Sequence, residues 1–152
     1  MLTEIACGPI SESAVLEEIP FICSLFMNSS STVGVMYGVG CNAENDHLWV
    51  PFDIVTATLP GWIEQSIQDG TYEPGNSDIF VFDKDRLTAR LCHEADIHIE
   101  TSFAPIIQRC AHRWLGKGYR LLRSDIVPPS SNSWREIQSE EEAVAGLLDS
   151  PA

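Results

Sequence analysis

Three short segments joined by very short connections constrain this chain more than any other feature. "DIFVFD" (78–83), "RLTARLCH" (86–93) and "IHIETS" (97–102) carry the β-branched, aromatic and alternating residues of strands. Only "KD" and "EAD" separate them. Connections that short cannot hold a crossover, so the three strands are expected to be antiparallel neighbours in a β-meander. Directly after them, "SFAPIIQRCAHRWLGKG" (102–118) repeats Ile106, Ile107, Cys110, Ala111, Trp114 and Leu115 at helical spacing. Ser102 is placed to cap this helix, Pro105 falls in its first turn, and Gly116 or Gly118 ends it. The fold class that follows is α+β, an antiparallel meander sheet packed against a few helices.

The flanking chain is less regular. Residues 11–19, "SESAVLEEI", begin as a helix begins, and Pro20 is expected to interrupt it. "FICSLFM" (21–27) is too uniformly apolar to assign. "TVGVMYGVG" (32–40) reads as a strand with Val33, Val35, Tyr37 and Val39 on one face and glycines where another backbone approaches. Those glycines fit neither phosphate-binding loop pattern. "LWVPF" (48–52) is a short apolar piece, and "TLPGWIEQSIQDG" (58–70) reads as a short helix on Trp62, Ile63 and Ile67. "YRLLRSDIV" (119–127) is expected to add an edge strand. A length of 152 residues suits one domain. Residues 1–127 are read as that domain. Residues 128–152 are read as a Pro/Ser linker and a short amphipathic helix, with Ser139 and Glu142 at capping-box spacing.

Charge narrows the partners. The chain carries a net charge of −13. Such a field repels nucleic acid and anionic lipid and attracts basic proteins. Residues 101–125 run against this trend, with Arg109, Arg113, Lys117, Arg120 and Arg123 against a single acid. Pairing of that basic helix face within the monomer is favoured over self-association into a homodimer or docking of an acidic partner. Five cysteines, an odd number with no C-x-x-C, fit reduced thiols in the cytoplasm. No signal-like segment opens the chain and no apolar run is long enough to span a membrane.

The stretch "LCHEADIHIE" (91–100) concentrates the chemistry of the chain, with Cys92, His93, Glu94, Asp96, His98 and Glu100 in nine positions. A helical zinc-protease signature needs its histidines four apart, whereas here they are five apart on an alternating segment. A hairpin with the three-residue loop Glu94-Ala95-Asp96 keeps Leu91 and Ile99 on the core face and Arg90 and Glu100 on the other. In that register Cys92 faces His98, His93 turns toward the core side, and Asp96 takes the left-handed position. A zinc ion needs three or four converging ligands, and only Cys92 and His98 qualify locally. No catalytic residue, metal or cofactor is therefore assigned. A small hydrolase or metal enzyme built on His93, Glu94, Asp96 and His98 is the enzymatic alternative.

Phe80-Val81-Phe82-Asp83, Leu91, His93-Glu94 and Asp96-Ile97, followed by an amphipathic helix, resemble the central hairpins of small acidic bacterial toxin-immunity proteins. The resemblance covers residues 78–115. It implies a non-catalytic α+β inhibitor that binds a cognate toxin, often a nuclease, and blocks its active site. The acidic charge suits that role, since acidic side chains can mimic the phosphates a basic nuclease grips. The partner-binding residues expected are Glu44, Asp46, Asp69, Glu73, Asp83, Asp85, Glu94 and Asp96. A regulatory or adaptor domain is the third reading.

Overall fold

The computed structural model describes residues 2–28, 30–84, 86–126 and 133–147. Its elements run β1 (Leu2–Cys7), α1 (Glu12–Phe26), β2 (Thr32–Tyr37), β3 (Phe52–Val55), α2 (Leu59–Gln68), β4 (Ile79–Asp83), β5 (Leu87–Leu91), β6 (Ile97–Thr101), α3 (Ala104–Gly116), β7 (Leu121–Ile126), β8 (Arg135–Ile137) and α4 (Glu140–Val144). The strands form one eight-stranded sheet in the order β3-β2-β4-β5-β6-β1-β7-β8, and every pairing is antiparallel. The α+β class and the central meander β4-β5-β6 stand as the sequence indicates.

The strand periodicity decides which face is covered. Ile79 and Val81, Leu87, Ala89 and Leu91, and Ile97 and Ile99 alternate with half-buried residues and point to one side. Ile5, Val33, Val35 and Leu121 join them there. The helices lie on that side and supply Ile19, Ile22, Phe26, Leu59, Ile63, Ile107, Cys110 and Trp114. Each of the larger apolar side chains removed from water contributes about 1.5–3 kcal/mol. The opposite face carries no helix among the described residues.

Several expectations are corrected. Residues 2–7 form β1, which lies between β6 and β7 in the middle of the sheet. β8 pairs on the other side of β7, so β7 is internal and β8 is the edge. Pro20 does not stop α1, which continues to Phe26. Proline removes one helical hydrogen bond, but Ile19, Ile22, Cys23 and Phe26 hold the helix on the sheet from both sides of it. Phe103, not Ser102, precedes α3, and the Thr101 hydroxyl accepts the Phe103 N–H at 3.1 Å. Gly34 in β2 and Gly38 just after it make room for side chains, a Cβ there pressing on Phe82 and on Phe80 and Trp49, while at Gly40 another backbone does come close, that of Asn76 and Ser77.

The C-terminal segment is built into the domain where it is described. Residues 128–132 of the expected linker lie outside the described residues. Beyond them β8 pairs with β7, Leu121 opposite Ile137. Ser139 caps α4 by accepting the Glu142 N–H at 3.2 Å, and Ile137, Ala143, Val144 and Leu147 are buried in the main core. Arg123, 1% exposed, donates to the carbonyls of Glu142 and Ala143 at 3.1 and 3.0 Å and pairs with Asp125 at 3.0 Å.

Candidate functional site

The uncovered face of the sheet is where polar chemistry collects. Strand register places Phe80, Arg90, His98, Ala6 and Leu122 in one row across five strands. The adjacent row holds Phe82, Thr88, Glu100, Glu4 and Ser124. His98 is clamped between two acids. Its Nδ1 stands 2.7 Å from Glu4 Oε2 and its Nε2 2.9 Å from Asp96 Oδ2. The Trp134 ring meets its edge with centroids 5.9 Å apart. Burial alone would lower the His98 pKa, but the hydrogen bonds to Asp96 and Glu4 outweigh it and hold the pKa above the ordinary histidine value. An imidazolium that donates from both nitrogens is the form this clamp favours.

Around the clamp, several groups lack partners. Arg90 lies over Phe80, 6.0 Å from the ring centroid, and its Nε is buried without a hydrogen bond. Glu100 faces Glu4 across the β6–β1 pair. Burial raises the Glu100 pKa, and the charge of Glu4 raises it further. Asp96 Oδ1 is also buried and receives no hydrogen bond. Glu4, Phe80, Thr88, Arg90, His98 and Glu100 line a cavity of about 170 Å³.

The hairpin that carries the cluster differs from the expected one by two residues in register. Leu91 pairs with Ile97 and Arg90 with His98, which leaves Cys92 through Asp96 as the loop. Ala95, not Asp96, takes the left-handed conformation, with φ 63°. Contacts from elsewhere in the chain hold it there: Ile10 N–H donates to the Ala95 carbonyl at 2.8 Å, and Gly8 packs against Ala95 and Asp96. A shift of two preserves the faces, so Arg90, His98 and Glu100 remain on the polar side as read. His93 does not turn to the core. Its Nδ1 and backbone N–H both bind Asp78 Oδ1, at 2.8 and 2.6 Å, and its side chain stays 38% exposed.

The eight acidic residues singled out from sequence divide by position. Glu44, Asp46, Asp69, Glu73 and Glu94 are exposed on loops at one end of the sheet. Those loops are tied together. Asn42 N–H donates to the Thr71 carbonyl at 2.9 Å, Asp78 N–H to the Val39 carbonyl at 2.7 Å, and the Ser77 hydroxyl to the Gly40 carbonyl at 3.0 Å. Asp96 belongs to the His98 clamp and is not an exposed tip, because the hairpin closes on it rather than beyond it. Asp83 is 4% exposed at the opposite end of the sheet, where it accepts from Ser30 at 3.2 Å and stands 3.6 Å from Arg86. Asp85 lies outside the described residues.

The basic face of α3 turns inward. Arg113 grips the buried Glu18 of α1 through two hydrogen bonds of 2.8 Å, and Trp114 Nε1 adds a third at 2.6 Å. Lys117 lies 3.4 Å from Glu18 and 3.5 Å from Glu17, and Arg109 reaches the Ser24 hydroxyl at 3.4 Å. Charge pairing within the monomer thus describes this segment.

Three sets of side chains bring possible metal donors within 4.8 Å of one another: Asp78, Cys92 and His93; Cys92, Asp96 and His98; and the exposed Glu44, Asp46 and His47. Sequence reasoning missed Glu4 and Trp134 as members of the polar face. The alternation of "LTEIAC", with Thr3, Ile5 and Cys7 opposite Leu2, Glu4 and Ala6, was the signal for the first. No known family model, curated protein or solved structure matches the chain. No helix among the described residues is long and apolar enough to cross a membrane.

Proposed function

We propose that this protein is a non-catalytic binding domain for a basic protein, an inhibitor of the immunity type that covers a toxin's active site. The observation that carries the reading is the gathering of Glu44, Asp46, Asp69, Glu73 and Glu94, exposed, on mutually bonded loops at one end of the sheet. Acids held on tied loops form a surface ready to meet a cationic partner with little ordering cost, and opposite charge speeds encounter. A nuclease that grips phosphates presents the complementary field.

The enzymatic alternative has less support. Its four residues are split, His93 onto Asp78 and His98 between Glu4 and Asp96. Both His98 nitrogens face carboxylates, so neither is free to take a proton from a substrate. The five free thiols suit a reducing, cytoplasmic setting.

The partner to test is any basic secreted toxin whose gene adjoins this one. Binding should be tight at low salt and weaken steeply as salt rises. The combined substitution Glu44→Gln, Asp46→Asn, Glu73→Gln and Glu94→Gln should slow association by about tenfold or more while leaving the melting temperature unchanged. A neighbouring toxin that neither binds the protein nor is neutralised by it would remove this reading.

A further inference from the structure

Three donor atoms of different chemistry converge at the mouth of the β5–β6 hairpin. Cys92 and Asp96 oppose each other there, with Cys92 N–H donating to the Asp96 carbonyl at 2.9 Å. His98 follows Asp96 by two residues, on the same face of the sheet. Cys92 Sγ, an Asp96 oxygen and a His98 nitrogen all lie within 4.8 Å of one another. Thiolate, imidazole and carboxylate form a ligand set suited to zinc, with bonds of about 2.0–2.3 Å. Ligand atoms in a tetrahedral site then stand roughly 3.3–3.6 Å apart. The 2.9 Å separation of Nε2 and Asp96 Oδ2 needs to open by only a few tenths of an ångström.

Two further observations point to a ligand. Asp96 Oδ1 is buried with no hydrogen bond, and a buried polar atom left unpaired calls for a water or an ion. Glu4 accepts from the far nitrogen of His98, the carboxylate–histidine relay that orients metal-binding imidazoles. The neighbouring donor set lacks such an orphan, since Asp78 Oδ1 already takes two hydrogen bonds from His93. A cavity of about 390 Å³ lined by Glu4, Arg90, Asp96, His98 and Trp134 opens onto the site and gives a cation a way in.

We propose that Cys92 Sγ, the Asp96 carboxylate and His98 Nε2 bind one divalent cation of the zinc class, with Glu4 holding the imidazole from Nδ1. The fourth position is open to water from the cavity. Loading releases one proton from the Cys92 thiol and one from His98 Nε2, so apparent affinity rises with pH. Burial pushes the Cys92 pKa up to about 12, which makes it a neutral thiol without the cation. Arg90 of β5 and Glu100 of β6 also face the site, and His93, held by Asp78, stands with its Nδ1 3.8 Å from Cys92 Sγ.

The test uses the full chain, stripped with chelator and titrated with zinc and with cobalt(II). One equivalent should bind, and cobalt should show thiolate charge-transfer absorption. Cys92→Ser should abolish that band. Glu4→Gln should weaken zinc binding about 10–100-fold, and His93→Gln, which removes a contact to the Cys92 thiol but no proposed ligand, should still bind one equivalent. Absence of the band in the unmodified protein overturns the proposal whether or not any variant folds. Survival of the band in Cys92→Ser, or loss of binding in His93→Gln, overturns it as well. Of the partner-binding acids only Glu94 shares this loop, and the other four lie on separate loops, so either reading can fail alone.

Discussion

Glu18 and Asp96 are both carboxylates drawn away from water, and the two sides of the sheet treat them differently. Glu18 sits among the helices with no exposed surface, yet both its oxygens receive donors from Arg113, and Trp114 and Lys117 add to them. Burial alone would raise its pKa, but Arg113 and Trp114 reverse the shift and hold it below the ordinary value. Asp96 also titrates below its ordinary value, the His98 hydrogen bond outweighing burial. Even so, one of its oxygens stays unpaired. The Glu18 network on the covered side is complete, although the Tyr72 hydroxyl in the core lacks a partner, whereas the open side leaves Asp96 Oδ1, Arg90 Nε and Ser124 Oγ without one. Unsatisfied groups cost stability, and three of the four such atoms among the described residues lie on the open side.

The largest predicted effect lies on the covered side. Glu18→Ala leaves the buried Trp114 Nε1 and the partly exposed Arg113 without their acceptor. Removing one partner of a buried ion pair costs about 3–5 kcal/mol, a fall in melting temperature on the order of 10 °C for a chain this size. Thermal melts of the variant measure it, and a loss of under a degree would show that the pairing is incidental. Arg123→Met comes next. It keeps the volume but orphans two carbonyls at the end of α4 and leaves Asp125 with only Thr3 and Arg135. A cost of about 3 kcal/mol is expected. Amide exchange should rise first in residues 137–147, because Arg123 ties that segment to the sheet.

These two networks also show what could be read from sequence. The meander and α3 were legible because Leu87, Ala89 and Leu91, and Ile106, Cys110 and Trp114, keep strict periods of two and 3.6. The faces of Arg90, His98 and Glu100 were legible for the same reason, and they survive a register error of two. The register itself was not legible. It depends on Ala95 adopting φ 63° under contacts from Gly8 and Ile10, which lie far away in sequence and override local turn preference. β1 was hidden because its core face carries Thr3 and Cys7 beside Ile5, so its alternation reads as weak. Nothing in "SESAVLEEI" sets Glu18 apart from Glu17, and only its distant partners Arg113 and Trp114 make it a core residue. Glu4 entered the site through the same unread strand.

On the open face the effects should be smaller and should depend on pH. The folded-state pKa of His98 is raised, so its stabilisation is fully present below the unfolded value near 6.5 and is lost as pH rises through the folded value. Asp96 has a lowered pKa, and its share is lost only as pH falls below the carboxylate range. His98→Gln should therefore cost most between about pH 5 and 6, roughly 1–2 kcal/mol, and progressively less toward pH 9. Paired melts of the two proteins across that range measure it. A difference independent of pH would mean the clamp holds a neutral imidazole, and the contrast between the two sides would weaken.

The smallest effect has the opposite sign and separates the two sides most directly. Glu100 has its pKa raised by burial and by Glu4. A carboxyl whose folded pKa is raised favours folding while protonated and opposes it once ionised, so at neutral pH the Glu100 charge works against the fold. Glu100→Gln should accordingly raise stability by about 0.2–1 kcal/mol at pH 7, the size of a relieved like-charge cross-strand pair. The gain should fade near pH 4, where the native carboxyl is protonated. Adding Glu4→Gln should not add a second gain of that kind, because the same repulsion cannot be removed twice and His98 would lose a partner. No substitution within the Glu18 network is expected to stabilise the protein at any pH. If Glu100→Gln proves destabilising at pH 7, the paired acids of the open face are structural after all, and the difference drawn between Glu18 and Asp96 reduces to one of exposure.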